Sequence, residues 1–272
     1  MKKSLPFPAA SGLLLAAFLL FSEGCAGPPE VTVHYLGHSS FILQFGNDLT
    51  VLTDYGESNA YGLASPIHSL GELVPDVVTI SHDHPDHYGG ELPPGIEVTL
   101  TGKEILRSRG LTITPIPTFE QSLFSPDNFS FLFEYRGLKV LHLGDCQSMI
   151  LGFSKPMLGA NGNLLSPEQL AALIKETYPD TYDLVLLPIG FTQDIIPEAA
   201  EFAENIDARA IVPMHYWTLE ERDAFVARMG DRKDGKGRPY NSRVSADPDF
   251  TLTRSSGPVT EVELLALTPA AR

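Results

Sequence analysis

The sequence predicts an α/β fold in which two β-sheets pack face to face with helices on the outside. Three observations carry that expectation. Short apolar, β-branched stretches recur in both halves of the chain, and helix-bearing stretches opened by Ser or Pro alternate with them in the second half. The densest polar cluster follows directly on one of the apolar stretches, where open α/β sheets place their chemistry. With 272 residues, 43% of them hydrophobic, there is enough apolar material for a full core, so the chain is not a disordered one. No repeat at a fixed period is present.

Met1-Lys2-Lys3 precedes an apolar run over residues 11–21, the layout of a secretory signal and too short to span a bilayer comfortably. Cys25 after Gly24 resembles a bacterial lipoprotein cleavage site, although Ser22 stands where Leu is usual and Glu23 fits poorly there. The expected organisation is a signal peptide of lipoprotein type over 1–24, a linker over 25–29 marked by Pro28-Pro29, and one domain over 30–272. The expected location is outside the cytoplasm, periplasmic or at the cell surface, with the membrane reached through a lipid anchor at Cys25.

The domain opens with strands over 31–36, 40–45 and 49–54, the last two joined by the hairpin signal Gly46-Asn47-Asp48. The run 77–80 is a buried strand. A strand over 96–100 and a short helix over 103–109 follow, then a strand over 111–118. Strands over 129–135 and 138–145 are joined by Arg136-Gly137. Residues 146–165 form a long Gly-bearing connector of the kind that serves as a lid or binding loop. Ser166-Pro167 opens a helix, with Ser as N-cap and Pro in the first turn. A buried strand over 183–189, a helix over 197–205, a strand over 208–215 and a helix over 219–229 come next. A charged loop over 231–241 leads to closing strands over 250–254 and 259–264.

Charge and cysteine content narrow the function. The 34 acidic against 19 basic residues give a formal net charge of −15, and no Lys/Arg run exceeds two residues. Binding to DNA or RNA phosphates needs the opposite sign, so no nucleic-acid partner is expected. Two cysteines, Cys25 and Cys146, do not make a disulfide framework.

The run Ser81-His82-Asp83-His84-Pro85-Asp86-His87 concentrates three of the eight histidines in six positions. A solvated turn is the bland alternative, but so dense a histidine cluster points to metal. In an extended loop His82 and His84 face the same way, giving a nitrogen pair suited to Zn, Fe or Mn. Asp86 and His87 face a second point as the chain turns toward a helix at residues 88–90, so the stretch supplies half of each site of a two-metal centre. Two later strands end in His142-Leu143-Gly144-Asp145 and Pro213-Met214-His215. Taken singly, that Asp reads equally as a turn residue and that His as a core residue.

The ordered set His82-X-His84-X-Asp86-His87, Gly144-Asp145 and His215 resembles the metallo-β-lactamase superfamily from about Val31 to His215. The segments Tyr35-Leu36-Gly37-His38-Ser39-Ser40-Phe41, Leu186-Leu187-Pro188-Ile189-Gly190 and Ile211-Val212-Pro213-Met214-His215-Tyr216 look like its L-ascorbate-6-phosphate lactonase-like and N-acyl phosphatidylethanolamine phospholipase D-like branch. The resemblance implies an αββα four-layer sandwich that binds two divalent metal ions, Zn first and Mn or Fe as alternatives. His82 and His84 would hold the first metal, Asp86, His87 and His215 the second, and Asp145 would bridge them. It further implies a metal-bound hydroxide that attacks an ester-type bond in a small-molecule or lipid-like substrate: a phosphodiester, a phospholipid-like ester or a lactone.

The sequence departs from the family at one ligand. A further His is expected between the first motif and Gly144-Asp145, and only His142 lies there, on the strand that carries Asp145. The usual position falls in residues 117–122, where Glu120 is the substitute. An oxygen ligand there makes the first site harder and more negative, favouring Mn or Fe or weakening Zn. His38 falls in a segment the family places beside the metals, so it and Asp86 are the candidate catalytic residues; Tyr216 and Trp217 read first as packing, and Cys146 as a packed thiol. No basic cluster stands near the motifs, and Arg107, Arg109 and the loop 233–238 are candidates for holding a phosphate. The altered ligand leaves a weakly active or inactive metal- or substrate-binding lipoprotein as the alternative to a hydrolase, and redox work at an iron pair as a third reading. Oligomeric state is not legible.

Overall fold

The computed structural model describes residues 27–57, 60–62, 70, 73–89, 92, 94–96, 98–120, 125–159, 162–191 and 194–269. The expected signal peptide over 1–24 and Cys25 lie outside these residues. None of the described helices is long and apolar enough to cross a membrane.

In chain order the elements are β1 (Glu30–Gly37), β2 (Ser40–Phe45), β3 (Leu49–Thr53), β4 (Val77–Thr79), β5 (Val98–Leu100), β6 (Leu106–Ser108), β7 (Leu111–Thr118), β8 (Asn128–Tyr135), β9 (Leu138–His142), α1 (Gln147–Leu151), α2 (Pro167–Thr177), β10 (Tyr182–Pro188), α3 (Ile196–Asn205), β11 (Ala208–Met214), α4 (Leu219–Met229), β12 (Tyr240–Val244), β13 (Asp249–Thr253) and β14 (Val262–Ala266). They form a six-stranded sheet, β13-β1-β2-β3-β4-β5, and an eight-stranded sheet, β12-β14-β11-β10-β9-β8-β7-β6. β1, β2 and β3 pair antiparallel, and β3, β4 and β5 parallel.

Period-two alternation sorts the side chains of the first sheet. Phe41, Leu43 and Phe45 of β2, Val51 of β3 and Val77 of β4 enter the main core, while Ile42, Leu52 and Val78 face the other side. The main core meets Ile113, Phe131, Phe133, Tyr135 and Val140 of the second sheet, and Phe45 stacks on Phe133 with ring centroids 6.0 Å apart. Helices α2, α3 and α4 bury Leu170, Ile174, Phe202 and Phe225 behind that second sheet. Behind the first sheet, Ile42, Leu52 and Val78 are covered by Tyr55, Leu70, Tyr88, Leu92 and Ile96 from connecting segments. The layered α/β sandwich is therefore present, and its outer layer on that side consists of loop side chains among the described residues.

Ser166 caps α2 as expected: its hydroxyl accepts from the Gln169 backbone, and the Gln169 side chain returns a bond to the Ser166 N–H. Three local expectations change. Residues 106–108 of the expected helix over 103–109 are strand β6, hairpinned to β7 through Arg109 and Gly110 at φ 47° and 81°. Two left-handed residues make the tight turn that suits a hairpin, so sheet pairing overrides local helix preference. Tyr88 enters no helix; it bridges to Tyr55, and the Gly89 N–H donates to the Tyr55 carbonyl. The connector after Cys146 begins as helix α1.

Because Phe133 is fully buried between the sheets, Phe133→Ala should lower unfolding stability by about 3–5 kcal/mol. Urea denaturation would read this as a lower midpoint at an unchanged slope.

Candidate metal centre

Six strand ends converge at one edge of the sandwich. In the first sheet, β1 delivers His38, β3 delivers Asp54, and β4 delivers the loop carrying His82, His84, Asp86 and His87. In the second, β7 delivers Glu120, β9 delivers Asp145 and β11 delivers His215. Three of the non-glycine residues at these ends are left-handed: His38, Asp54 and His215, at φ 55°, 33° and 56°. Gly144 precedes Asp145 at φ 59°, and a Cβ there would lie 2.6 Å from Asn128 Oδ1 and 2.7 Å from Ser81 Cβ. Only glycine fits that turn. Asn128 Oδ1 in turn accepts from the Asp145 N–H at 3.0 Å, which fixes where the aspartate leaves the strand.

The side chains gather into two groups joined by a carboxylate. In the first group His82 Nε2 and His84 Nδ1 are 3.0 Å apart, with Glu120 oxygens at 3.5 Å from His82 and 3.4 Å from His84. In the second, His87 Nε2 and His215 Nε2 are 3.1 Å apart, and Asp86 Oδ2 is 3.6 Å from each. Asp145 Oδ2 lies 3.6 Å from His215 Nε2, and Asp145 also clusters with His82 and His87, between the groups. The structure thus brings together all seven residues proposed as ligands. His38 is placed differently from a substrate-facing residue: it is 1% exposed, and its Nε2 donates to Asp86 Oδ2 at 3.0 Å. His142 points away and donates to the Ser39 carbonyl at 2.9 Å.

A carboxylate the sequence reading passed over orients both groups. Asp54, which reads in the sequence only as the end of the third strand, accepts from His87 Nδ1 at 2.9 Å and from the Ser81 hydroxyl at 2.8 Å. Ser81 Oγ in turn accepts from His82 Nδ1 at 3.0 Å. With these N–H groups committed, His82 and His87 present bare Nε2 lone pairs to the centre. The His215 Nδ1–H is likewise committed to the Gly190 carbonyl at 2.6 Å.

Electrostatics fit the same picture. Burial and the neighbouring His87 push His82 down to about 2, and burial and His215 push His38 down to about 4. Burial holds His87 well below the usual imidazole range. For Asp86, burial is outweighed by hydrogen bonds from His215 and His38, which keep it ionised. Burial, together with Glu120 and Asp86, pushes Asp145 up to about 8. His215 goes the other way against its own burial: Asp145 and Asp86 push it up to about 9. A proton on His215 Nε2 then lies against the bare nitrogen of His87. Asp86 Oδ1 and Asp145 Oδ1 are buried with no hydrogen-bond partner among the described residues. Orphaned carboxylate oxygens beside the bare Nε2 atoms of His82 and His87 are what a pair of divalent cations would satisfy, so the donor set fits the metals implied by the sequence.

The groups open into a cleft of about 420 Å³ lined by Tyr61, His84, Asp86, Glu120, Asp145, Gln147, Phe191, His215 and Trp217. Trp217 therefore does more than pack, whereas Tyr216 is buried with its hydroxyl on the Leu267 carbonyl. Cys146 is a packed thiol, driven far above its ordinary range by burial and by Asp145.

Residues 32–155 match the family described as the β-lactamase superfamily domain. Over that stretch the chain is similar to the β-lactamase superfamily. A UPF0173 metal-dependent hydrolase of Methanosarcina barkeri is 29% identical over 222 residues, covering 70% of this chain and 85% of that protein. A second, from Thermococcus onnurineus, is 26% identical over 238 residues, covering 75% and 94%. Among solved structures, a protein described as a Zn-dependent metallo-β-lactamase superfamily hydrolase from Thermotoga maritima is 24% identical, with TM-score 0.52, covering 88% of this chain and all of that one. The metallo hydrolase Igni18 of Ignicoccus hospitalis aligns at TM-score 0.52 and 20% identity, covering 84% of this chain and all of that one. These structural likenesses establish the metallo-β-lactamase fold.

Two outcomes are expected. Asp54→Asn should lower metal affinity about 10–100-fold, because one imidazole of each group loses its anchor; competition with a chromophoric chelator measures this, with circular dichroism as the check on folding. Metal uptake by the metal-free protein should also release protons. The buried Asp145–His215 pair is pushed up and holds a proton at neutral pH that a bound cation would displace, so apparent affinity should rise as pH is raised through the titration of that pair. A pH series of the same competition reads the sign.

Proposed function

We propose that this chain, a metal-dependent hydrolase of the metallo-β-lactamase superfamily, cleaves an ester-type bond at a two-cation centre. His82, His84 and Glu120 would hold one cation, Asp86, His87 and His215 the other, and Asp145 would be shared. The observation that carries this reading is the position of Asp145 between two sets of donor atoms, each within ligand spacing. When bound, a cation pair supplies a nucleophile from water near neutral pH and positive charge for a developing oxyanion. Zn is the first choice, with Mn or Fe as alternatives. A phosphodiester, a phospholipid-like ester or a lactone is the substrate class that the branch resemblance suggests.

The chain's own residues prepare the site for that chemistry. Asp54 holds His87 directly and His82 through Ser81. Gly190 holds the ring of His215. His38 donates to Asp86 and keeps that carboxylate turned toward His87 and His215. Phe191, 6% exposed with its ring 5.3 Å from that of His215, shields one wall of the centre from water. Residues 1–24 are read as an export signal with a lipid anchor at Cys25, which would set this hydrolase at a membrane surface outside the cytoplasm.

Elemental analysis of protein truncated before Cys25 should give two metals per chain, falling to about one in Glu120→Ala and further in Asp145→Ala. Chelation should abolish ester hydrolysis and re-addition should restore it. A parent protein that holds no metal after reconstitution would sink the hydrolase reading.

A further inference from the structure

The cleft differs from an anion-binding site in both its charges and its rings. Three of its nine lining residues, Asp86, Glu120 and Asp145, are carboxylic acids, and three, Tyr61, Phe191 and Trp217, are aromatic. No lysine or arginine lines it. Every Lys and Arg between residues 27 and 269 is among the described residues, because the internal stretches outside them contain neither type in their sequence. Three of the cations that the sequence offered for a phosphate are engaged elsewhere, and neither Arg107 nor Lys233 lines the cleft. Arg109 binds Asp76 at 3.0 Å and the Asp48 carbonyl at 3.1 Å, Arg238 binds Asp234 and Asp207, and Lys236 binds Asp207.

Recognition of a phosphate ester ordinarily draws on Arg or Lys beyond the metals, since a fork of N–H donors or an ammonium neutralises the oxygens that the metals do not reach. Here the cleft offers aromatic rings instead. Glu120 also adds one negative charge where an imidazole would be neutral, so the first donor group offsets more of a bound cation's charge. Like charge facing a ligand is a strong device for rejecting it, while flat aromatic walls favour an uncharged, apolar body.

We propose that the cleft selects an uncharged ester or lactone with a flat or apolar body and rejects phosphate-ester anions, through Glu120 and the aromatic side chains of Tyr61, Phe191 and Trp217. This rests on the hydrolase reading above and narrows its substrate class.

Trp217, the only tryptophan in the chain, is a built-in reporter of cleft occupancy. The test is quenching of its fluorescence by two probes of one phenyl ring each: uncharged acetanilide and the monoanion phenyl methylphosphonate. Both are titrated into metal-free protein and into protein loaded with two equivalents of Zn(II). Acetanilide should bind about tenfold or more tightly than the phosphonate in both forms. Gln147→Lys, which sets a cation on the cleft wall without touching the donor groups, should bring the two probes toward parity, and Glu120→Gln should narrow the gap in metal-free protein. Equal or tighter binding of the phosphonate by the unmodified protein overturns the proposal, and so does a failure of both probes to quench. Neither failure changes the metal count per chain, so each is separable from failure of the hydrolase reading.

Discussion

The centre depends on a fixed spacing between the ends of two separate sheets, and three hydrogen bonds set that spacing. The His215 N–H at the end of β11 donates to the His38 carbonyl at 2.9 Å, and His142 Nε2 at the end of β9 donates to the Ser39 carbonyl at 2.9 Å. The Phe129 N–H of β8 donates to the Ser81 carbonyl at 2.9 Å. Each bond crosses from the eight-stranded sheet to the six-stranded one, beside the donor groups. Without them the aromatic core would still hold the sheets together, but apolar contact is non-directional and would leave the edge free to slide. A shift of one ångström there would separate His87 from His215 and Asp145 from both groups.

What the sequence disclosed follows from what is local. The cluster His82 to His87 is contiguous, so its chemistry is legible without a fold, and Glu120 is legible because a position is missing its histidine. Asp54 is not. Its partners Ser81 and His87 are 27 and 33 residues away, and an Asp at a strand end has no local sign of that reach. His38 was legible as a neighbour of the centre, but whether it faced substrate or ligand depended on the turn after β1. The segment 103–109 carries good helix formers, and only its pairing with β7 makes part of it a strand. The resemblance to the lactonase-like and phospholipase D-like branch is finer than the likenesses found, which reach the superfamily.

The same burial that arms the centre makes it costly when empty. Ionised Asp86, buried neutral imidazoles and a proton held on His215 between carboxylates have few ways to relax inside a packed edge. Such a cluster raises the free energy of the metal-free fold relative to the loaded one, so ligand binding and folding stability are linked there. The cleft sets carboxylates beside aromatic rings, so ligand charge and ligand shape are judged by different residues.

The three left-handed backbones at His38, Asp54 and His215 have a consequence for how such a protein changes over generations. A non-glycine residue in that region carries on the order of 1–3 kcal/mol of conformational strain where the surroundings enforce it. Replacement by glycine or asparagine at any of the three relieves strain while removing a side chain from the centre or its support. Drift toward thermostability and retention of chemistry therefore pull in opposite directions at these three positions. A lineage released from the chemistry would be expected to lose these side chains early, ahead of the motif histidines that sit in unstrained backbone.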